Sequence, residues 1–273
     1  YWPNALSRGL WLGGSDPGAS VVVDYVTMST TGDAADFGDL TDARQQIGAK
    51  SSLIRAIATG GYDPGSAVDV MDYVTIMTTG NAADFGNLTV ARGYNSGFSN
   101  STRGLTTGGY TGSKSDVLDY ITMASVGNAT DFGNLSSARY QQGGAASPTR
   151  GINFAGNTEP SKVNTIDYVE IATTGNAVDF GDASASIVSM GSASSSTRGT
   201  FGGGQTPTLV TTIDTITIAS TGNAIDFGDL TVARSQGAGT SNSVRGIVGG
   251  GKDPSLNNTI DYYTIAVGGT AVD

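Results

Sequence analysis

An arginine followed by glycine or a near-equivalent returns six times along the 273-residue chain, at Arg8, Arg55, Arg103, Arg150, Arg198 and Arg245, with successive copies 47 or 48 residues apart. A period of this length restricts the chain to solenoids, propellers or related arrays, because one such unit cannot bury its apolar face without a neighbour stacked on it. The aspartate of an Asp-Phe pair keeps the same interval at Asp36, Asp84, Asp131, Asp179 and Asp226, and Asp273 ends the series. Six copies therefore fill residues 1–273 as a single domain, with repeats beginning near 1, 48, 95, 143, 190 and 238. The first copy opens inside its first strand and the sixth stops as its fourth begins, so a closed ring would bring the two ends of the chain together.

Each copy divides into four short strands. In the fourth copy a small-residue strand leads to Arg150-Gly151, and a second strand runs from there into a variable loop. In other copies that second strand ends on a glycine pair such as Gly60-Gly61 or Gly108-Gly109. A third strand carries Asp167-Tyr168, and a fourth runs through Asp179-Phe180-Gly181. Between the third and fourth strands stands Gly175-Asn176, repeated at Gly80-Asn81, Gly127-Asn128 and Gly222-Asn223. Glycine followed by asparagine predicts a two-residue hairpin turn, since its first central position wants positive φ. In the third strand Ile166 and Tyr168 point one way while Val169 and Ile171 point the other, so both faces are apolar, as stacked sheets require.

The chain contains no cysteine and no histidine, which removes disulfides, thiol chemistry, Ser-His-Asp and Cys-His catalysis and most transition-metal sites together. Net charge is −10, and the only glutamates are Glu159 and Glu170. Aspartate favours turns where glutamate favours helices, so the bias again indicates strands joined by tight loops. An acidic chain without a basic run excludes nucleic acid as the expected partner. No apolar stretch approaches the roughly 18 residues of a membrane span, so membrane insertion is not expected. The start at Tyr1, with no signal peptide, reads as a processed product or a part of something longer.

The glycine pair closing the second strand, the tyrosine in the third, the aromatic residue in the fourth and the Ala-Arg step before the next copy together resemble the kelch repeat. That resemblance covers the whole chain and implies an all-β, six-bladed kelch-like β-propeller, with four short antiparallel strands per blade of about 47–48 residues. Phe37, Phe85, Phe132, Phe180 and Phe227 stand where kelch units usually carry tryptophan. Thr215 replaces the tyrosine in the fifth copy, and Ser186 is read as replacing the arginine found at Arg44, Arg92, Arg139 and Arg234. The wording Thr-Ile-Asp-Tyr-Val-Thr-Ile-Ala-Thr-Thr-Gly-Asn-Ala is also similar to repeat proteins of marine phage virions and tail appendages. That second likeness implies a virion-surface, extracellular location, with other virion proteins, a host glycan or an envelope component as partners and homo-oligomers among the assemblies.

A residue present in every copy is explained by what every copy needs, which is folding. The six Arg-Gly arginines match six third-strand aspartates in number, Asp24, Asp72, Asp119, Asp167, Asp214 and Asp261, and the equal count predicts buried Arg–Asp pairs within or between blades. The Ala-Arg arginines Arg44, Arg92, Arg139 and Arg234 belong to the connections on the face that kelch-like domains use for partners, so they are inherited candidates for an anion or polar-ligand pocket, beside a scaffold role. The loops after the second strand differ most between copies and are the better binding candidates, with Tyr62, Tyr110, Lys114, Lys162 and Lys252 as their aromatic and basic members. Trp2 and Trp11, both in the first copy, are candidates to seal the ring or to meet a second chain. Asp33, Asp36 and Asp39 are where Ca²⁺ would be sought, but they alternate with other residues and lack the order of an EF-hand loop. Turn capping is their favoured reading, and no metal or cofactor site is assigned. The expected function is a non-enzymatic structural or binding module without catalytic residues. Its rivals are an aspartate-dependent glycan-degrading enzyme, which needs only two suitably spaced carboxylates, and a pure self-assembly module.

Overall fold

In the computed structural model, which describes residues 7–15 and 17–273, six antiparallel sheets stand around one axis as a six-bladed β-propeller. Blades 2 to 5 each have four strands in sequential order. Blade 4, for example, comprises Gly143–Ala146, Arg150–Asn157, Lys162–Glu170 and Val178–Asp182. Blade 1 has three described strands, Arg8–Ser15, Ala19–Thr27 and Ala35–Arg44. Blade 6 has Ala238–Ser241, Arg245–Gly249 and Ile260–Thr264, with Val272 bridging back to Tyr262 in the place of an outer strand.

Small residues form the inner strands because these crowd around the axis. Serine hydroxyls stitch one inner strand to the next at the repeat spacing: Ser99 Oγ donates to the Ser51 carbonyl at 2.6 Å, and Ser241 Oγ to that of Ser194 at 2.8 Å. At one end of the axis a chain of backbone bonds runs from Tyr94 N to Gln46 O, Gln141 N to Tyr94 O, Ser189 N to Gln141 O and Gln236 N to Ser189 O. The core lies between blades, where Phe37, Phe85, Phe132 and Phe180 are 1–2% exposed. Each packs edge-on against its blade's third-strand tyrosine, as Tyr73 does on Phe85 with ring centres 5.9 Å apart. Burying one such phenyl ring contributes about 1.5–3 kcal/mol.

The Arg-Gly arginines do not pair with the aspartates. All six donate to a carbonyl of the next blade, and all but Arg198 lie over their own blade's tyrosine. Arg103 sits 4.8 Å from the Tyr120 ring centre and bonds Ile171 O at 3.1 Å and Ala172 O at 2.9 Å. Arg198, whose blade has Thr215 in place of tyrosine, keeps the carbonyl bonds to Ile265 and Ala266. Arg245 of blade 6 reaches Thr30 O of blade 1 at 3.2 Å, which closes the ring. Trp11 supports that seam by donating from Nε1 to Ala238 O at 3.1 Å and packing with Val26, Met28 and Ile247. Trp2 lies outside the described residues.

The partners of the aspartates are the Ala-Arg arginines: Arg44 with Asp72, Arg92 with Asp119 at 3.0 Å, Arg139 with Asp167 at 2.7 Å and Arg234 with Asp261 at 3.0 Å. Each aspartate also caps the exit of the preceding blade's outer strand, as Asp119 does by accepting Thr89 N at 3.1 Å and Thr89 Oγ1 at 2.6 Å. The residue standing in the arginine's place ahead of blade 5 is Ile187, not Ser186. Its carbonyl accepts Gly156 N, just as Arg92 O accepts Gly61 N and Arg139 O accepts Gly109 N.

The Gly-Asn pairs are not two-residue hairpin turns either. Strands Val70–Thr75 and Ala83–Asn87 are joined by seven residues, 76–82. The pair inside that connection reaches back to the preceding blade: Gly80 N donates to Phe37 O at 2.8 Å, and Asn81 Oδ1 accepts Asp39 N at 3.2 Å. The same contact recurs from blade 3 to blade 2, where Gly127 N meets Phe85 O at 2.7 Å and Asn128 Oδ1 accepts Asn87 N at 3.1 Å.

Candidate binding face

The second strand of each blade runs from one face of the ring to the other. One face carries the turns between first and second strands. The opposite face carries the hairpins between second and third strands, and the connections between blades pair with these hairpins through the bridges Gln45–Tyr62, Gly93–Tyr110, Tyr140–Asn157, Val188–Gln205 and Ser235–Lys252.

On the hairpin face four tyrosines meet, Tyr62 and Tyr110 from the hairpins of blades 2 and 3 and Tyr94 and Tyr140 from the connections that follow those blades. Tyr62 and Tyr94 have ring centres 5.7 Å apart, Tyr94 and Tyr140 5.8 Å, and Tyr110 and Tyr140 5.2 Å, with rings inclined by 59–62°. All four are partly exposed. Polar bonds fix their edges. Tyr62 Oη donates to Tyr110 O at 3.1 Å, Tyr140 Oη donates to Glu159 Oε1 at 2.5 Å, and Asn157 Nδ2 donates to Tyr140 Oη at 3.0 Å. Burial pushes the phenols of Tyr62, Tyr94 and Tyr140 above the ordinary tyrosine range, and for Tyr140 the bond to Glu159 adds to this, so at neutral pH all three keep their protons. Lys114 completes the border by donating to the carbonyls of Thr158 and Glu159 on the next hairpin.

Of the residues singled out from sequence, Tyr62, Tyr110 and Lys114 therefore fall into one cluster. Lys162 lies one blade further round and donates to Thr206 O in the same manner. Lys252 is exposed on blade 6. Arg44, Arg92, Arg139 and Arg234 are at most 1% exposed and bound to aspartates, so their guanidinium groups do not reach the hairpin face. Tyr94, Tyr140 and Glu159 were missed. Tyr94 and Tyr140 belong to the connections between blades, at repeat positions held by Gln46 and Gln45 in the first copy. Comparing copies there, and not only in the hairpins, finds both.

A second feature is a cavity of about 590 Å³ on the axis, lined by Ser51, Ser99, Ala146, Ser194 and Ser241 of the inner strands and entered past Leu53 and Met77. None of the described residues lining it is acidic. The two glutamates lie at opposite ends of the strand Lys162–Glu170, Glu159 just before it and Glu170 at its end, where Glu170 pairs with Arg150 at 2.8 Å. Among the described residues no group of three or more acidic side chains comes together that would hold a metal ion.

Fold and site together define a β-propeller with an off-repeat aromatic patch on one face. The chain matches no protein-family model and no curated protein.

Proposed function

We propose that the chain is a non-enzymatic binding module whose hairpin face takes a carbohydrate on the tyrosines of blades 2 and 3 and of the connections that follow them. The observation that carries this reading is the gathering of Tyr62, Tyr94, Tyr110 and Tyr140, from two hairpins and the two connections that follow them, in a repeat that does not require them. Tyrosine suits such a surface because its ring offers an apolar face for sugar C–H groups and its hydroxyl a hydrogen bond at the edge. Glu159 and Asn157 add acceptors and donors at one border. The likeness of the repeats to kelch units and to marine phage appendage proteins supplies the setting: an extracellular virion part that meets a host surface glycan on this face and other virion proteins elsewhere.

A glycan array probed with the purified chain tests the proposal. Selective binding that is lost in Tyr94→Ala and Tyr140→Ala, both still folded by circular dichroism, is the expected result. No glycan bound, or binding unchanged in both variants, overturns it.

Self-assembly retains one supporting observation. Leu53, Ile54 and Met77 of blade 2 are 51–64% exposed on the turn face, where blades 3 to 5 carry serine or proline, threonine and alanine. Sedimentation of Leu53→Asp beside the unaltered chain separates that reading from the carbohydrate one.

A further inference from the structure

Between blades 4 and 5 the repeated ion pair is incomplete. Asp214 is 4% exposed, and its Oδ2 accepts Ser184 N at 3.1 Å and Ser184 Oγ at 2.8 Å. Its Oδ1 is buried without a partner. At four other interfaces an arginine fills this place, but here the chain supplies Ile187, and a cavity of about 60 Å³ is left. Its lining includes Asp214, Ile187, Met190 and Thr212, with Phe154 and Phe201, whose rings stack 3.8 Å apart. We propose that this cavity is a binding site for a guanidinium group, held by Asp214 and the two phenyl rings.

The molecule itself provides the template. Arg44 donates to Gly60 O at 3.0 Å and Val70 O at 2.8 Å as well as to Asp72, and Arg234 donates to Val248 O at 2.9 Å. The repeat puts Gly203, Thr212 and Phe201 at the corresponding positions, and Thr212 O is already turned inward to accept Gly203 N. A planar, weakly hydrated cation that stacks on aromatic rings suits this lining. A metal ion does not, because hard cations take six or more oxygen ligands and most of this wall is hydrocarbon. Burial, with Asp226 opposite in the sheet, holds the Asp214 carboxyl above the ordinary carboxylate range, the condition a bound cation would relieve. Of the basic groups around it, Lys162 donates to Thr206 O at the cavity's edge, while Arg150 and Arg198, on the strands that supply Phe154 and Phe201, are bound to Glu170 and to carbonyls of the next blade.

A guanidinium group can come from two sources, a small cation free in solution or the end of a partner's arginine, and methylguanidinium chloride and a blocked Gly-Arg-Gly peptide distinguish them. With 10 mM methylguanidinium, Tm is expected to rise by about 2 °C over a sodium chloride control, and the Asp214 carboxyl midpoint, followed by NMR, to fall. Ile187→Arg supplies the group internally, so it should melt higher without ligand and no longer respond. A peptide at least tenfold tighter than methylguanidinium assigns the site to a partner's arginine, and a weaker one assigns it to a free cation. The proposal is overturned by no shift in the unaltered chain, by an equal shift in Ile187→Arg, or by an Asp214 midpoint that moves in Lys162→Met and not with the added cation.

Discussion

Lys50 is the charge least suited to its surroundings. It projects from the inner strand of blade 2 into the interface with blade 3, where other blades place Phe98, Ala145, Ala193 and Thr240. Only 5% exposed, it bonds Thr59 Oγ1 at 3.1 Å and Thr106 Oγ1 at 2.5 Å. Burial, reinforced by Arg92 and partly opposed by Asp119, pulls its ammonium down to about 7. The unfolded chain therefore holds more protons than the folded one between about pH 7 and the ordinary lysine value of about 10.4, so stability rises with pH across that window and the full cost of the buried cation remains below it. Urea unfolding of the native chain should show stability climbing from pH 7 to 9.5 by at most about 1.4 kcal/mol per pH unit. Lys50→Met should be more stable at pH 7, by about 1–3 kcal/mol, and lose that slope. A destabilised variant with the slope unchanged would mean that Lys50 is not the titrating group.

The connections between third and fourth strands act as straps from each blade to the one before it. Their closest approach is at the glycine of each Asp-Phe-Gly. Gly86 has φ +135°, and a Cβ on it would lie 2.6 Å from the Gly127 carbonyl carbon, whereas Gly80, at φ +151°, has open space around it. Both Gly86→Ala and Gly80→Ala carry backbone strain of about 1–2 kcal/mol, but only Gly86→Ala adds a backbone clash, worth about 1–3 kcal/mol more. Equal losses for the two in urea unfolding would contradict the strap. The sequence showed that Gly-Asn recurs, and hence that it is structural. It did not show that the pair serves the neighbouring blade, because the spacing from Gly80 to Phe37 carries no mark of a contact. The arginines misled for a similar reason. Six Arg-Gly copies matched six aspartates in number, while the true partners are only four, since Ile187 stands in one place and Asp24 has no arginine among the described residues.

Repetition makes the ring legible in the sequence: each shared glycine, serine and phenylalanine recurs up to six times, and stacking is the only way such units bury both faces. The binding face was half legible. Tyr62 and Tyr110 stand out in the variable hairpins, but Tyr94 and Tyr140 join them only because antiparallel bridges bring the connections between blades alongside those hairpins. The central claim is that residues shared by the blades hold the ring together while the unshared tyrosines bind. Fluorotyrosine labelling tests it in one sample, because the chain carries both kinds. On addition of a glycan selected from the array, the resonances of Tyr62, Tyr94, Tyr110 and Tyr140 should shift, while those of Tyr73, Tyr120 and Tyr168, lying beneath Arg55, Arg103 and Arg150, stay in place. Shifts confined to the tyrosines beneath the arginines, with the hairpin-face cluster unmoved, would contradict the account.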